Sequence, residues 1–162
     1  MATPLTGTHS TMMTRIDYSK ASPDGFKAFL AVHATVHKGA LPKDLLNLVY
    51  LRVSQINGCA FCIDMHSRDL INAGLAIDKL VLVSVWREAG IVFSERERSA
   101  LAWAESVTRV ESSGVSDDAY KAASSEFNEK ELADLTYAIA LMNAFNRFGV
   151  AFRSTPAAAA QA

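Results

Sequence analysis

Residues 48–70 read LVYLRVSQINGCAFCIDMHSRDL, two helical runs joined by a two-residue break. Pro42 opens the first run, whose apolar residues Leu45, Leu46, Leu48, Val49, Leu51 and Val53 recur at helical spacing as far as Ile56. Asn57 and Gly58 end it, because both tolerate left-handed backbone angles. Cys59 stands at the opening of the second run, which extends to Asn72-Ala73-Gly74. Cys59, Cys62 and His66 fall at i, i+3 and i+7. At about 100° per residue, their side chains lie within roughly 60° of one another on one helix face.

Outward from this stretch the helical signals continue. Ser22-Pro23-Asp24 suits a helix start, with Ser22 as cap, Pro23 in the first turn and Asp24 favourable to the dipole. Phe26, Phe29, Leu30, His33, Val36 and His37 share one side of that helix, which Lys38-Gly39 stops. A further helix is expected over 77–88, ending at Gly90. Ser94 with Glu97 and Asn128 with Glu131 have capping-box spacing. They predict one helix to about Arg109 and another from Glu129 to Phe152, with a short one capped by Ser116 between them. The last helix carries two apolar stripes: Leu132, Leu135, Ile139 and Met142, then Tyr137, Leu141, Phe145, Phe148 and Phe152. Such a helix needs burial around most of its circumference, which predicts a central helix or a subunit contact. The β-branched run at 81–85 is flanked by helix-forming residues, so no strand is expected. The reading is all-α: a loose arm over 1–21, one helical domain over 22–153 and a disordered tail over 154–162.

With 162 residues, half of them hydrophobic, the chain has enough apolar material for one sizeable core. Sixteen basic against 17 acidic residues argue against an electrostatic grip on nucleic acid or anionic lipid. No run is apolar for the roughly 18 residues a membrane helix needs, and the N-terminus lacks a secretory pattern. A cytoplasmic location is expected. There are two cysteines, three residues apart. A disulfide closing so short a loop would constrain the unfolded chain little, so the pair points to chemistry.

That chemistry follows from the face they share. Cys62 and His66 are an i, i+4 pair, close enough to touch, and two sulfurs one turn apart reach bonding distance with modest adjustment. Cys59 also feels the open N–H groups and positive end of the helix. Free cysteine has a pKa of about 8.5, and both influences lower it. A thiolate attacks a peroxide to give a sulfenic acid, a neighbouring thiol condenses with it to a disulfide, and a dithiol donor restores the pair. Inert packing is the bland alternative, since cysteine is often buried. Metal binding is disfavoured: structural zinc takes four ligands, and His33 or His37 is the obvious fourth.

The stretch LVYLRVSQINGCAFCIDMHSRDL, with VSVWREAGIVFSERERSALAWAESVT and NAFNRFGVAFR downstream, resembles the AhpD-like alkylhydroperoxidase branch of the carboxymuconolactone decarboxylase family. The resemblance covers about 110 residues. It implies an AhpD-like helical fold that assembles as trimers or hexamers. It also implies hydroperoxide reduction with no bound cofactor, regenerated by an external lipoyl-type dithiol. Carried over, Cys62 is the attacking thiol, Cys59 its resolving partner and His66 part of the proton relay. The dipole argument favours Cys59 as the attacker instead; the histidine and the resemblance favour Cys62.

One position departs from the pattern. The family's peroxidases place a relay glutamate twelve residues before the first cysteine, and here that position is Asn47. An amide cannot take a proton at neutral pH. His33, His37 and Glu88 are candidates to line the site or replace the relay, although the two histidines read equally as core or capping groups. Asn47 also motivates a second reading, thiol–disulfide exchange or redox sensing without peroxide turnover. Lactone decarboxylation, from the family's other branch, does not use a cysteine pair.

Other side chains read as structural. Trp86 and Trp103 belong to core or interface, and Glu95, Arg96, Arg98 and Glu105 to a solvated face. Asn143, Asn146 and Arg147 are expected to satisfy one another across a subunit contact.

Overall fold

The computed structural model describes residues 14–160. They form helices α1 (Tyr18–Ala21), α2 (Pro23–His37), α3 (Lys43–Asn57), α4 (Ala60–Asn72), α5 (Ile77–Val81), α6 (Glu95–Thr108), α7 (Val110–Ser113), α8 (Asp117–Ser124) and α9 (Glu129–Ala151), with no strand among the described residues. At the centre is α3, packed against α4, α6 and α9. Leu46, Val49, Tyr50 and Val53 face a core that also holds Cys59, Cys62, Leu135, Ile139 and Met142, and Leu48 and Leu51 face a second core around Val83, Trp86, Phe93 and Leu101. A helix buried on both sides fixes where its neighbours sit, and α3 thereby sets the position of the cysteine-bearing α4.

Both capping boxes form, Ser94 with Glu97 and Asn128 with Glu131. Ser116 accepts from Ala119 N–H as expected. Ser22 occupies the N-cap of α2 with Pro23 in the first turn, but its side chain makes no capping bond. The helix expected over 77–88 is interrupted. Only Ile77–Val81 is α-helical, followed by 3-10 turns over Val83–Glu88 and Gly90–Val92, with Val85 off the helical backbone at φ −123°, ψ 27°. Valines at 81, 83 and 85 lower the helix preference locally, and Val83 and Trp86 are both buried.

The two stripes of α9 meet different partners. Leu132, Leu135, Ile139 and Met142 are in the core. Phe145 and Phe148 pack edge-on against Phe29 of α2, and Phe148 stacks on Tyr18 of α1 at 5.0 Å. Tyr137, from the second stripe, stays 64% exposed.

The part of the expected loose arm over 1–13 lies outside the described residues. From Thr14 onward the chain is docked: Arg15 N–H donates to the Phe152 carbonyl at 2.9 Å, and Asp17 caps α1 so that Tyr18 reaches the aromatic side of α9. Within the expected tail, Ser154 N–H bonds Gly149 O, Ala157–Ala160 make a 3-10 turn, and Ala158 N–H donates to Asp64 at 3.2 Å. Residues 161–162 lie outside the described residues.

The solvated-face reading fails at Glu105. It is 9% exposed and accepts from Arg52 Nε at 2.8 Å, Trp86 Nε1 at 2.9 Å and Arg87 at 2.8 Å. Burial alone would raise its pKa; the bonds from Arg87, Trp86 and Arg52 outweigh it and hold the carboxyl below its ordinary value. No helix among the described residues is long and apolar enough to cross a membrane.

Candidate active site

The site begins at the break between α3 and α4. Gly58 adopts φ 67°, ψ 31°, a left-handed conformation that ends α3 and turns the chain back. Cys59 N–H returns to Ser54 O at 3.0 Å, and Cys59 becomes the N-cap of α4, with Cys62 one turn on. Both cysteines are free thiols, and their sulfurs lie 3.0 Å apart. At that distance one S–H can hydrogen-bond to the other sulfur.

Which sulfur keeps the proton depends on what surrounds it. The Cys62 thiol bonds to Cys59, the backbone N–H groups of Cys62 and Phe61 and the Asn146 side chain add to it, and together they outweigh burial and push Cys59 down to about 6. The same bond, with burial and the charge on Cys59, pushes Cys62 up, only partly offset by Asn146 and Ser54. These bonds and the positive end of α4 favour charge on Cys59 over Cys62.

Helix α9 closes the site from above. A Cβ at Gly149 would lie 2.8 Å from Cys59 Sγ and 3.9 Å from Cys62 Sγ, so only glycine allows this approach. One turn earlier, Asn146 is 1% exposed; it donates to Ser54 Oγ at 3.0 Å and accepts from Asn57 Nδ2 at 3.0 Å. Asn57 also donates to Asn143. The bonds expected across a subunit contact are thus made inside the chain, to α3. Arg147 bonds the carbonyl of Asn143 within α9.

His66 is 3% exposed on the cysteine face of α4. Neither ring nitrogen has a hydrogen-bond partner among the described residues; Nδ1 lies 3.8 Å from Asp69 Oδ2. Burial, with the charges of His33 and His37, lowers its pKa from 6.5 to about 4. Tyr50 of α3 packs beside it, ring centroids 5.1 Å apart, and His33 and His37 pack against Tyr50 at 6.1 and 5.9 Å. Asn47 is half-buried one turn before Tyr50. Glu88 is exposed on a 3-10 turn that packs with the second core, and it is not brought to the pair.

A stability consequence follows from His66. The unfolded histidine takes up a proton near pH 6.5 and the folded one only near 4. Its contribution to stability is therefore complete above 6.5 and is lost as pH falls toward 4, by up to about 3 kcal/mol. Urea midpoints followed across that window should fall in the wild type and fall less in His66→Gln.

Phe26, Phe29, Phe145, Phe148 and Phe152 line an apolar cavity of about 210 Å³ with Tyr18 at its wall. Burial raises the Tyr18 pKa, and the cysteines and Asp17 raise it further. The sulfurs themselves are 1% and 3% exposed.

Sequence reasoning found the three groups on one face and missed those supplied by other helices: Ser54, Tyr50, Gly149, Tyr18 and the Asn57–Asn146 pair. Two signals were available. Asn47, Tyr50 and Ser54 are spaced for one face of α3, and a lone glycine deep in a long helix marks a close approach.

The sequence model of the carboxymuconolactone decarboxylase family matches residues 23–106. An uncharacterised Bacillus subtilis (strain 168) protein, YdfG, is 31% identical over 140 residues, 86% of this chain and 95% of its own. A crystal structure from Agrobacterium tumefaciens, of a protein of unknown function suggested to be an antioxidant defence protein AhpD, superposes with a TM-score of 0.85 at 41% identity. It covers 89% of this chain and 98% of its own. The debrominase Bmp8, solved with 2,3,4-tribromopyrrole, shares the fold at TM-score 0.74 and 18% identity, over 88% of this chain and 75% of its own.

Proposed function

The chain belongs to the carboxymuconolactone decarboxylase family, in its AhpD-like branch, and from that premise we propose that it is a thiol peroxidase that reduces hydroperoxides through Cys59 and Cys62. The observation that carries the reading is the pair of free cysteines at a helix N-terminus, their sulfurs 3.0 Å apart beneath Gly149.

The cycle balances with one proton taken from outside. A proton moves from Cys62 to Cys59, leaving the thiolate on the sulfur one turn from His66. The less stabilised thiolate is the better nucleophile, so Cys62 attacks the terminal oxygen of the hydroperoxide. The O–O bond breaks, Cys62 becomes a sulfenic acid, and the departing alkoxide takes the Cys59 proton to leave as alcohol. Cys59 thiolate attacks the Cys62 sulfur, the disulfide forms, and the expelled hydroxide leaves as water with a proton delivered through His66. An external dithiol of the lipoyl type then reduces the disulfide by exchange, returning both thiols and losing one proton to the resting thiolate. The aromatic cavity beside Tyr18 admits the peroxide with its apolar part against the phenylalanines. The exposed apolar side chains Leu30, Val32 and Tyr137 on α2 and α9 support assembly into a trimer or hexamer, and free thiols suit a reducing, cytoplasmic compartment.

Purified protein supplied with an organic hydroperoxide and dihydrolipoamide should consume both in equal amounts over many turnovers. A second reading rests on Asn47: a sensor or disulfide-exchange protein that loses two thiols once and does not cycle. Stoichiometric oxidation without turnover would favour that reading over the peroxidase.

A further inference from the structure

Four buried polar atoms lack hydrogen-bond partners among the described residues: His37 Nε2, Tyr50 Oη and both nitrogens of His66. They belong to one connected group. His33 and His37 stack at 4.1 Å, both pack over Tyr50 at 6.1 and 5.9 Å, and Tyr50 packs on His66 at 5.1 Å. The group leads from half-buried imidazoles on α2, through a fully buried phenol on α3, to the buried imidazole one turn from Cys62. An unpartnered buried hydroxyl costs stability, and a phenylalanine at position 50 would avoid that cost.

Resting on the peroxidase reading, we infer that His33, His37 and Tyr50 form the proton path that feeds His66, in place of the carboxylate that Asn47 lacks. Each turnover needs one external proton at a site whose sulfurs are closed to solvent. Tyr50 Oη and both nitrogens of His66 have no hydrogen-bond partner among the described residues, so the proton crosses those gaps on a bridging water. Each imidazole accepts at one nitrogen and donates at the other, and the phenol does both with its oxygen. Among the described residues, no group of three His, Cys, Asp or Glu is arranged to hold a metal ion. The charged and titratable groups facing the path are few. Lys43 and Asp69 act on His37, Asp69 approaches His66, and the cysteines stand at its inner end. Burial keeps all three imidazoles below their ordinary pKa, neutral and ready to relay.

The test separates proton delivery from thiolate reactivity. Reduced full-length wild type, Tyr50→Phe, His37→Gln and His33→Gln are each mixed with hydrogen peroxide, and loss of two thiols is timed; the same proteins are alkylated with iodoacetamide, which consumes the thiolate and needs no proton. Tyr50→Phe and His37→Gln should slow oxidation about tenfold with alkylation unchanged, while Tyr50→Phe keeps or raises the thermal midpoint. His33→Gln, at the half-exposed end and tolerant of change, should slow oxidation less, in the same direction. Oxidation at the wild-type rate in all three variants overturns the path and leaves the peroxidase reading standing. Alkylation slowed as much as oxidation overturns it too, since the variants would then act on the thiolate. A wild type that keeps both thiols overturns the peroxidase reading itself, and the path with it.

Discussion

Cys62→Ser should consume no hydroperoxide above background, a loss on the order of a thousandfold or more. Cys62 provides the attacking sulfur in the proposed cycle, and serine has neither its acidity nor its nucleophilicity. The same change removes the thiol that bonds to Cys59, so the Cys59 pKa should rise from about 6 toward that of an ordinary buried cysteine. Cys59→Ser behaves differently. Cys62 is then released from the neighbouring charge that holds its pKa up, reacts once, and stops at a sulfenic acid with no partner. Excess peroxide carries it on to sulfinic acid. Trapping with a sulfenate reagent and mass analysis of both variants decides the order of attack. Sulfenate on Cys62→Ser and none on Cys59→Ser would reverse the roles of the two sulfurs.

Gly149→Ala should reduce the rate of disulfide formation about a hundredfold while leaving the protein folded. The added methyl would stand 2.8 Å from Cys59 Sγ, and the sulfur must rotate or α9 must lift. A displacement of about 1 Å in a reacting group costs roughly a hundredfold. Stability moves little, because overpacking of about 1–3 kcal/mol is set against the roughly 1 kcal/mol that alanine gains over glycine within a helix. Single-turnover oxidation and a urea melt on the same sample separate the two. A fast variant would mean that α9 does not hold the sulfurs in register; an unfolded one would mean that the glycine serves packing.

What the sequence disclosed is what lies along one helix. Cys59, Cys62 and His66 are separated by fixed fractions of a turn, so their shared face follows from helical geometry, and the Asn57-Gly58 break locates Cys59 at an N-terminus without further information. The capping boxes at Ser94 and Asn128 are equally local, and both formed. The remainder of the site depends on long-range packing. Asn146 meets Ser54 across 92 residues of chain, and nothing in either segment alone names the other. Glu105 looks solvated within its own helix; its burial comes from Arg52 on α3 and from Trp86 and Arg87 on the turn after α5. The helix expected over 77–88 rested on the helix-forming residues that flank the β-branched run at 81–85, whereas Val85 leaves the helical backbone at φ −123°, ψ 27°. The docking of Tyr18 escaped notice for the same reason: its partners Phe148 and Phe152 lie at the opposite end of the chain.

The relay glutamate missing at Asn47 and the neutral, unpartnered His66 bear on how fast the pair cycles. Neither alters whether the two sulfurs can join. Counting accessible thiols in denaturant, before and after one equivalent of hydrogen peroxide per chain, therefore addresses the central claim most directly. A fall from two thiols to none is expected, with the mass of the chain lowered by two hydrogens and no oxygen retained. Two thiols persisting, or one lost with oxygen added and no cross-link formed, would contradict it.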